Sequence, residues 1–151
     1  MTYQEKNIIV SFCSQILILG FFLVRILELA QGGGLEFEKV LRLWFTVIIL
    51  QIVVTIVGTI LAHILSAIVQ SVQTGGEEPQ IDDIEDERDK LIALKGTRVA
   101  YIISSIGIFL AMLSLVFGQP ALVMFSLLIL AGLVAQISAD VSKLYLYRQG
   151  F

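Results

Sequence analysis

The chain has 151 residues, of which 57% are hydrophobic and only 15% charged, with a mean hydropathy of +0.90. So few charges do not cover a water-soluble domain, and the long unbroken apolar runs exclude one. The formal net charge of −3 hides an acidic block: residues 77–89 hold eight acids and one Arg, leaving +4 elsewhere, and no basic face of the kind that binds nucleic acid directly.

Apolar runs of about 18 residues or more mark membrane-spanning helices. The runs here predict an all-α polytopic membrane protein with four transmembrane helices, over about 7–30, 43–72, 99–118 and 121–141. They form one transmembrane domain, 1–151, expected as two antiparallel hairpins with a cytoplasmic loop and helical projection over 73–98.

The first run has Lys6 ahead of it and Ala30 near its end, as a secretory signal would. Glu28 stands where cleavage needs a small residue, so the run is expected to stay as a span. Its Cys13 is the only cysteine; with no disulfide partner and no metal-ligand spacing around it, it reads as a buried packing residue. Ser11 and Ser14 share a face with Arg25. Arg25 and Glu28, three apart near the outer end, have two readings. Charges at membrane depth are costly and often mark an ion or proton path, whereas near a helix end they snorkel to the interface and pair with each other.

The second run opens on Trp44 and Phe45, suited to the headgroup level. Along it Gln51, Thr55, Gly58, Ala62, Ser66, Gln70 and Gln73 recur at three or four residues, flanked by Thr59 and His63. In lipid, helices associate through small and polar residues, so this stripe is expected in the bundle interior or on a self-association surface that makes a homo-oligomer. His63 is the only histidine. A lone His without Cys or carboxylate at ligand spacing is a poor metal site, and haem would need a second axial ligand. It reads as a packing histidine, with no cofactor and no metal. The Gly runs at 32–34 and 75–76 are loop punctuation without phosphate-loop spacing.

Between the second and third spans lies the charged block. Asp82 and Glu85 have the spacing of a helix N-cap and its partner, and Asp86 and Lys90 that of a stabilising i, i+4 pair. No proline interrupts 82–118, so one helix is expected to run from the loop through the third span. The seventeen residues before Val99 would project about 25 Å, with Gly96 a possible hinge. Ile84 and Leu91, with Ile81 and Ile92 beside them, make an apolar edge interrupted by Arg88. The edge reads as packing on the membrane, or as a docking surface formed by Ile84, Arg88, Leu91, Lys95 and Arg98.

The residues Asp86, Glu87, Arg88, Asp89, Leu91 and Ile92, followed by Lys95, Gly96, Thr97 and Arg98, resemble a signature of small prokaryotic four-helix membrane proteins. The pattern is D-E-R-D-x-L-I, then K-G-T/S-R, then a transmembrane helix. The resemblance covers this block and the four-helix layout and brings no active site. It implies a membrane partner that sequesters or signals to a cytoplasmic helix-turn-helix regulator.

The third span carries a small-residue stripe: Thr97, Ala100, Ser104, Gly107, Ala111, Ser114 and Gly118. The fourth carries Gly132, Ala135, Ala139 and Ser142, and a tight turn at 118–120 joins the two. They are expected to pack closely with a left-handed crossing. Asp140 and Lys143 end the fourth span three residues apart, with Gln136 one turn earlier, and read as an interfacial anchor. Tyr145 and Tyr147 add headgroup anchors beside Arg148.

Orientation follows the basic residues near helix ends. Seven lie on the side of the termini and the charged loop, against Arg25, Lys39 and Arg42 on the other, so both termini are expected in the cytoplasm and the chain in the cell membrane. No nucleophile–base arrangement stands out, and the chain is expected not to be an enzyme. The first functional expectation is a sensor, scaffold or regulatory subunit docking a cytoplasmic or membrane partner through 81–98. The alternative is a small oligomeric transporter or channel using Arg25, Glu28, His63 and Asp140.

Overall fold

The computed structural model describes residues 3–32, 36–73 and 87–149, with side chains for 5–32, 36–61, 64, 68 and 87–149. Its elements are α1 (Tyr3–Gln31), α2 (Phe37–Gln73), α3 (Glu87–Val116) and α4 (Ala121–Arg148). All four are long and apolar enough to cross a membrane. The described residues are therefore all-α, four helices suited to a multi-pass membrane protein. At about 1.5 Å per residue the helices are roughly 42–55 Å long, more than the ~30 Å hydrocarbon core requires.

The helices outrun the apolar runs because their ends find local polar partners. α2 starts at Phe37 rather than near Leu43, and there Arg42 pairs with Glu38 at 2.6 Å and Lys39 with Glu36 at 2.9 Å. α4 continues through Arg148, past the expected end near 141. α3 stops at Val116, and the Gly118 and Gln119 amides donate back to the carbonyls of Leu115 and Ser114. Pro120 then precedes α4 with φ −57° and ψ 145°, a conformation that ends one helix and admits the next. The expected cap at Asp82 and Glu85 lies outside the described residues.

α4 is the hub. It packs extensively on α3 along one side and on α1 along another, while α1 also packs on α2 and α2 only grazes α4. The α3–α4 pairs run in opposite order along the chain: Arg88 with Tyr147, Gly96 with Lys143, Gly107 with Ala131. Two sets of α4 residues serve the two sides. Leu133 joins Ile18 and Phe22 of α1 and Leu43 and Val47 of α2 in the buried apolar cluster. Gln136 and Asp140 follow Leu133 at helical spacing on that side, with Ser11 of α1 bonded to Asp140.

Toward α3 the ridge is made of small residues. A methyl added at Gly107 would overlap Ala131, so only Gly lets the two backbones approach this closely. Ala135 and Ala139, both buried, continue the ridge from Ala131 at four-residue spacing, and Ala111 of α3 is fully buried. The stripe expected at Gly132 is displaced by one residue: a methyl at 132 would have no neighbour within 4 Å, and Ala131 takes its place. A 3.6-residue helix drifts relative to a strict 3.5 repeat, which moves the facing residue at that end of the seam.

Large apolar side chains elsewhere face outward; Leu17 is 73% exposed and Phe109 63%. Against lipid tails that exposure costs nothing, because the tails are as apolar as the side chains. Cys13 belongs to this outer surface and not to the interior where it was expected. Its small thiol needs no burial when the surroundings are already apolar.

Candidate functional site

The polar side chains of α1, α2 and α4 collect around one cavity of about 260 Å³. From α1 come Asn7, Ser11, Ser14 and Gln15; from α2, Gln51, Thr55 and Thr59; from α4, Gln136, Asp140 and Lys143. Its wall includes a carboxylate, and a polar group surrounded by lipid or protein persists only when paired or functionally needed.

Asp140 is the centre of the cluster. It is only 1% exposed, accepts a hydrogen bond from Ser11 Oγ at 2.7 Å, and lies 3.6 Å from Lys143 Nζ. The Ser11 bond ties α1 to α4 across 129 residues of sequence. The Lys143 contact is longer than a hydrogen bond and that side chain is 21% exposed, so the ammonium is the looser partner. Lys143 reaches Asp140 by lying across Gly96 of α3. A Cβ there would sit 2.5 Å from Lys143 Cγ and 2.7 Å from Cε. Gly96 thus makes room for the lysine stem that serves the α1–α4 site.

The wall is rich in acceptors. Ser14 donates its hydrogen to the Val10 carbonyl, Thr55 to that of Gln51 and Thr59 to that of Thr55. These back-bonds use the hydroxyl hydrogens and leave oxygen lone pairs free. The carboxamide oxygens of Asn7, Gln15 and Gln51 are buried and accept no hydrogen bond from the described residues. Gln15 is the extreme case, being 4% exposed. Each unmet buried acceptor costs about 1–3 kcal/mol.

The other expected site residues lie apart from this cavity or outside what is described. Arg25 and Glu28 pair with each other at 3.0 Å on the exposed surface, and Arg25 also sits 5.9 Å from the centre of the Phe21 ring. Fourteen residues of α1 separate Arg25 from Ser11, about 21 Å along the helix. The side chain of His63 lies outside the described residues, as does Ile84.

Among the residues expected to form the docking surface, Arg88 is turned inward. Its Nη2 donates to the Tyr147 carbonyl at 3.4 Å and its guanidinium lies 5.9 Å from that ring's centre. Tyr147 Oη in turn donates to Asp89 at 2.6 Å. Arg88 on an apolar edge thus has a structural role, holding the start of α3 to the end of α4. Leu91 and Arg98 are exposed, and Lys95 is half-buried. Trp44 is engaged as well, donating from Nε1 to the Phe125 carbonyl at 3.2 Å and meeting that ring edge-on.

Two wall residues, Asn7 and Gln15, were missed in the sequence. The signal was present: Asn7, Ser11 and Gln15 recur every four residues on an otherwise apolar helix, one polar ridge leading into Ile18 and Phe22. Comparison with protein-family models, with curated proteins and with solved structures finds no match to this chain.

Proposed function

We propose that this chain is a non-enzymatic multi-pass membrane protein that binds a small polar solute inside its helical bundle, as a small transporter does. The observation that supports this reading is the cavity itself: buried Asp140 and Gln15, with half-buried Ser11, place polar groups on its wall, where an apolar membrane helix bears them at a cost. In this reading the four spans form two antiparallel hairpins in the cell membrane, with both termini in the cytoplasm. The opposed order of the α3–α4 pairs favours the hairpins, and the basic residues at the termini favour the orientation. Thr55 and Thr59 are exposed on α2 yet line the cavity, so a second copy laid against α2 would complete the wall.

Thiol accessibility tests the reading. In a Cys13→Ser background, Ser14→Cys in membrane vesicles should react with a small hydrophilic thiol reagent, while outward-facing Phe109→Cys should not. Equal protection of both would sink the proposal, because a thiol that water does not reach is not on a solute path.

A second reading, of a sensor or regulatory subunit, keeps the start of α3 as a docking surface for a cytoplasmic regulatory protein. It is supported by Leu91 and Leu94, exposed at 48% and 66% close to exposed Arg98. If α3 crosses the ~30 Å core with the twenty residues that end at Val116, both leucines lie outside it and need a cover. An Arg98→Glu, Leu94→Glu double variant that keeps every partner of the wild type in a pull-down would remove this reading.

A further inference from the structure

We infer that the cavity between α1, α2 and α4 is a site for a small monovalent cation, an alkali-metal ion or ammonium, which competes with the Lys143 ammonium for the Asp140 carboxylate. The inference rests on the solute-site reading and names the class of solute.

The first support is the set of oxygen acceptors on the wall, which the hydroxyls and carboxamides supply beside the Asp140 carboxylate. Ser14, Thr55 and Thr59 spend their hydrogens on their own helix carbonyls, and Ser11 spends its hydrogen on Asp140. Asn7, Gln15 and Gln51 present carboxamide oxygens that no described donor meets. Gln15 carries most weight, since it is 96% buried by its 4% exposure and lines the same cavity as Asp140. An anion would be repelled by the Asp140 carboxylate and would leave these oxygens unmet. A ligand with only donors, or a bare hard cation, would satisfy them.

The second support is charge. Among the described residues, Asp140 is the one carboxylate on the cavity wall. Among the described residues no three His, Cys, Asp or Glu side chains gather as a multivalent ion would require. One carboxylate matches one positive charge. Lys143 now supplies that charge, from 3.6 Å and with its side chain 21% exposed. Its stem lies on Gly96 and its head can swing outward to the headgroup level, as lysines near helix ends do. Asp140 therefore has two exchangeable counter-charges, one tethered and one free. Among the described residues, Lys143 is also the only cationic side chain on the cavity wall.

The competition gives a test that a structural lysine would fail. The full chain in lipid nanodiscs is titrated with sodium, potassium or ammonium chloride at constant ionic strength, balanced by choline chloride. Affinity is read by calorimetry and by the unfolding temperature. Wild type should show saturable binding of one of these cations. Asp140→Asn, which keeps an acceptor for Ser11, should weaken it by about tenfold or more. Gln15→Leu should weaken it while raising the unfolding temperature of the cation-free protein, because it removes an unmet acceptor.

Lys143→Met keeps the stem on Gly96 and removes the competitor, so it should tighten binding on the order of tenfold. Failure of wild type and Lys143→Met to bind any of the three cations would overturn the inference, as would weaker binding in Lys143→Met. Ser14→Cys labelling separates the two levels. If the thiol is reactive while no cation binds, the cavity is hydrated, the cation inference fails and the solute site stands. If the thiol is protected, the solute site itself fails.

Discussion

α4 has two polar-or-small interfaces that look alike in sequence and behave differently in space. Toward α3 it presents Ala131, Ala135 and Ala139, and Gly107 lets the backbones close until no methyl fits between them. Toward α1 it presents Leu133, Gln136 and Asp140, and the helices close over an apolar cluster but part around a cavity of about 260 Å³. The first interface is what lipid-embedded helices need to associate, close van der Waals contact between small residues. The second gives up contact to keep polar groups together, which is a cost without a function to justify it. Small residues close a seam; long polar ones hold it open.

The largest expected effect breaks the closed seam. Gly107→Leu forces a branched side chain into Ala131 and should destabilise the purified protein by about 3 kcal/mol, the upper part of the range for overpacking. The fall would be read as a lower unfolding temperature in detergent, and a midpoint within a degree of wild type would show that the seam is looser than described. Next comes the open interface, with the opposite sign. Gln15→Leu should stabilise by about 1–2 kcal/mol, since it deletes a buried unmet acceptor beside Ile18 and Phe22. A loss of stability instead would mean that Gln15 has a structural partner.

At the end of the seam, Tyr147→Phe removes the hydroxyl that bonds Asp89 at 2.6 Å and should cost about 1 kcal/mol. Faster hydrogen exchange in the first turns of α3 would localise the loss; unchanged exchange would show that the Arg88 contact suffices. Smallest of all, Arg25→Ala breaks an exposed pair with Glu28 outside both interfaces and should shift stability by less than about 0.5 kcal/mol. A larger shift would place Arg25 in a contact the structure does not give it.

The four helices were legible because apolar length is a one-dimensional property of a sequence. The closeness of α3 and α4 was legible too, from Gly107 and Ala111. Its register was not: Gly132 and Ala131 are adjacent in sequence and equally small, and only the rotation of α4 decides which one meets Gly107. The cavity was half legible. Ser11, Ser14, Gln51 and Thr55 stood out as polar faces, and Asp140 as a costly charge. What joined them is a hydrogen bond between residues 129 positions apart, which no local pattern announces. Arg88 shows the converse. In sequence it is a charge that interrupts the Ile84–Leu91 apolar edge and reads as a docking residue, yet its partner is Tyr147 of α4, brought close by the seam.

The central claim is that the α1–α2–α4 interior is a wet, solute-bearing space while the α3–α4 seam is dry. Water-edited solid-state NMR of the protein in lipid tests it most directly, by comparing transfer from water to the Gln15 side-chain amide with transfer to Gly107. The account predicts rapid transfer to Gln15 and little to Gly107. Slow transfer to both, or faster transfer to Gly107, would contradict it.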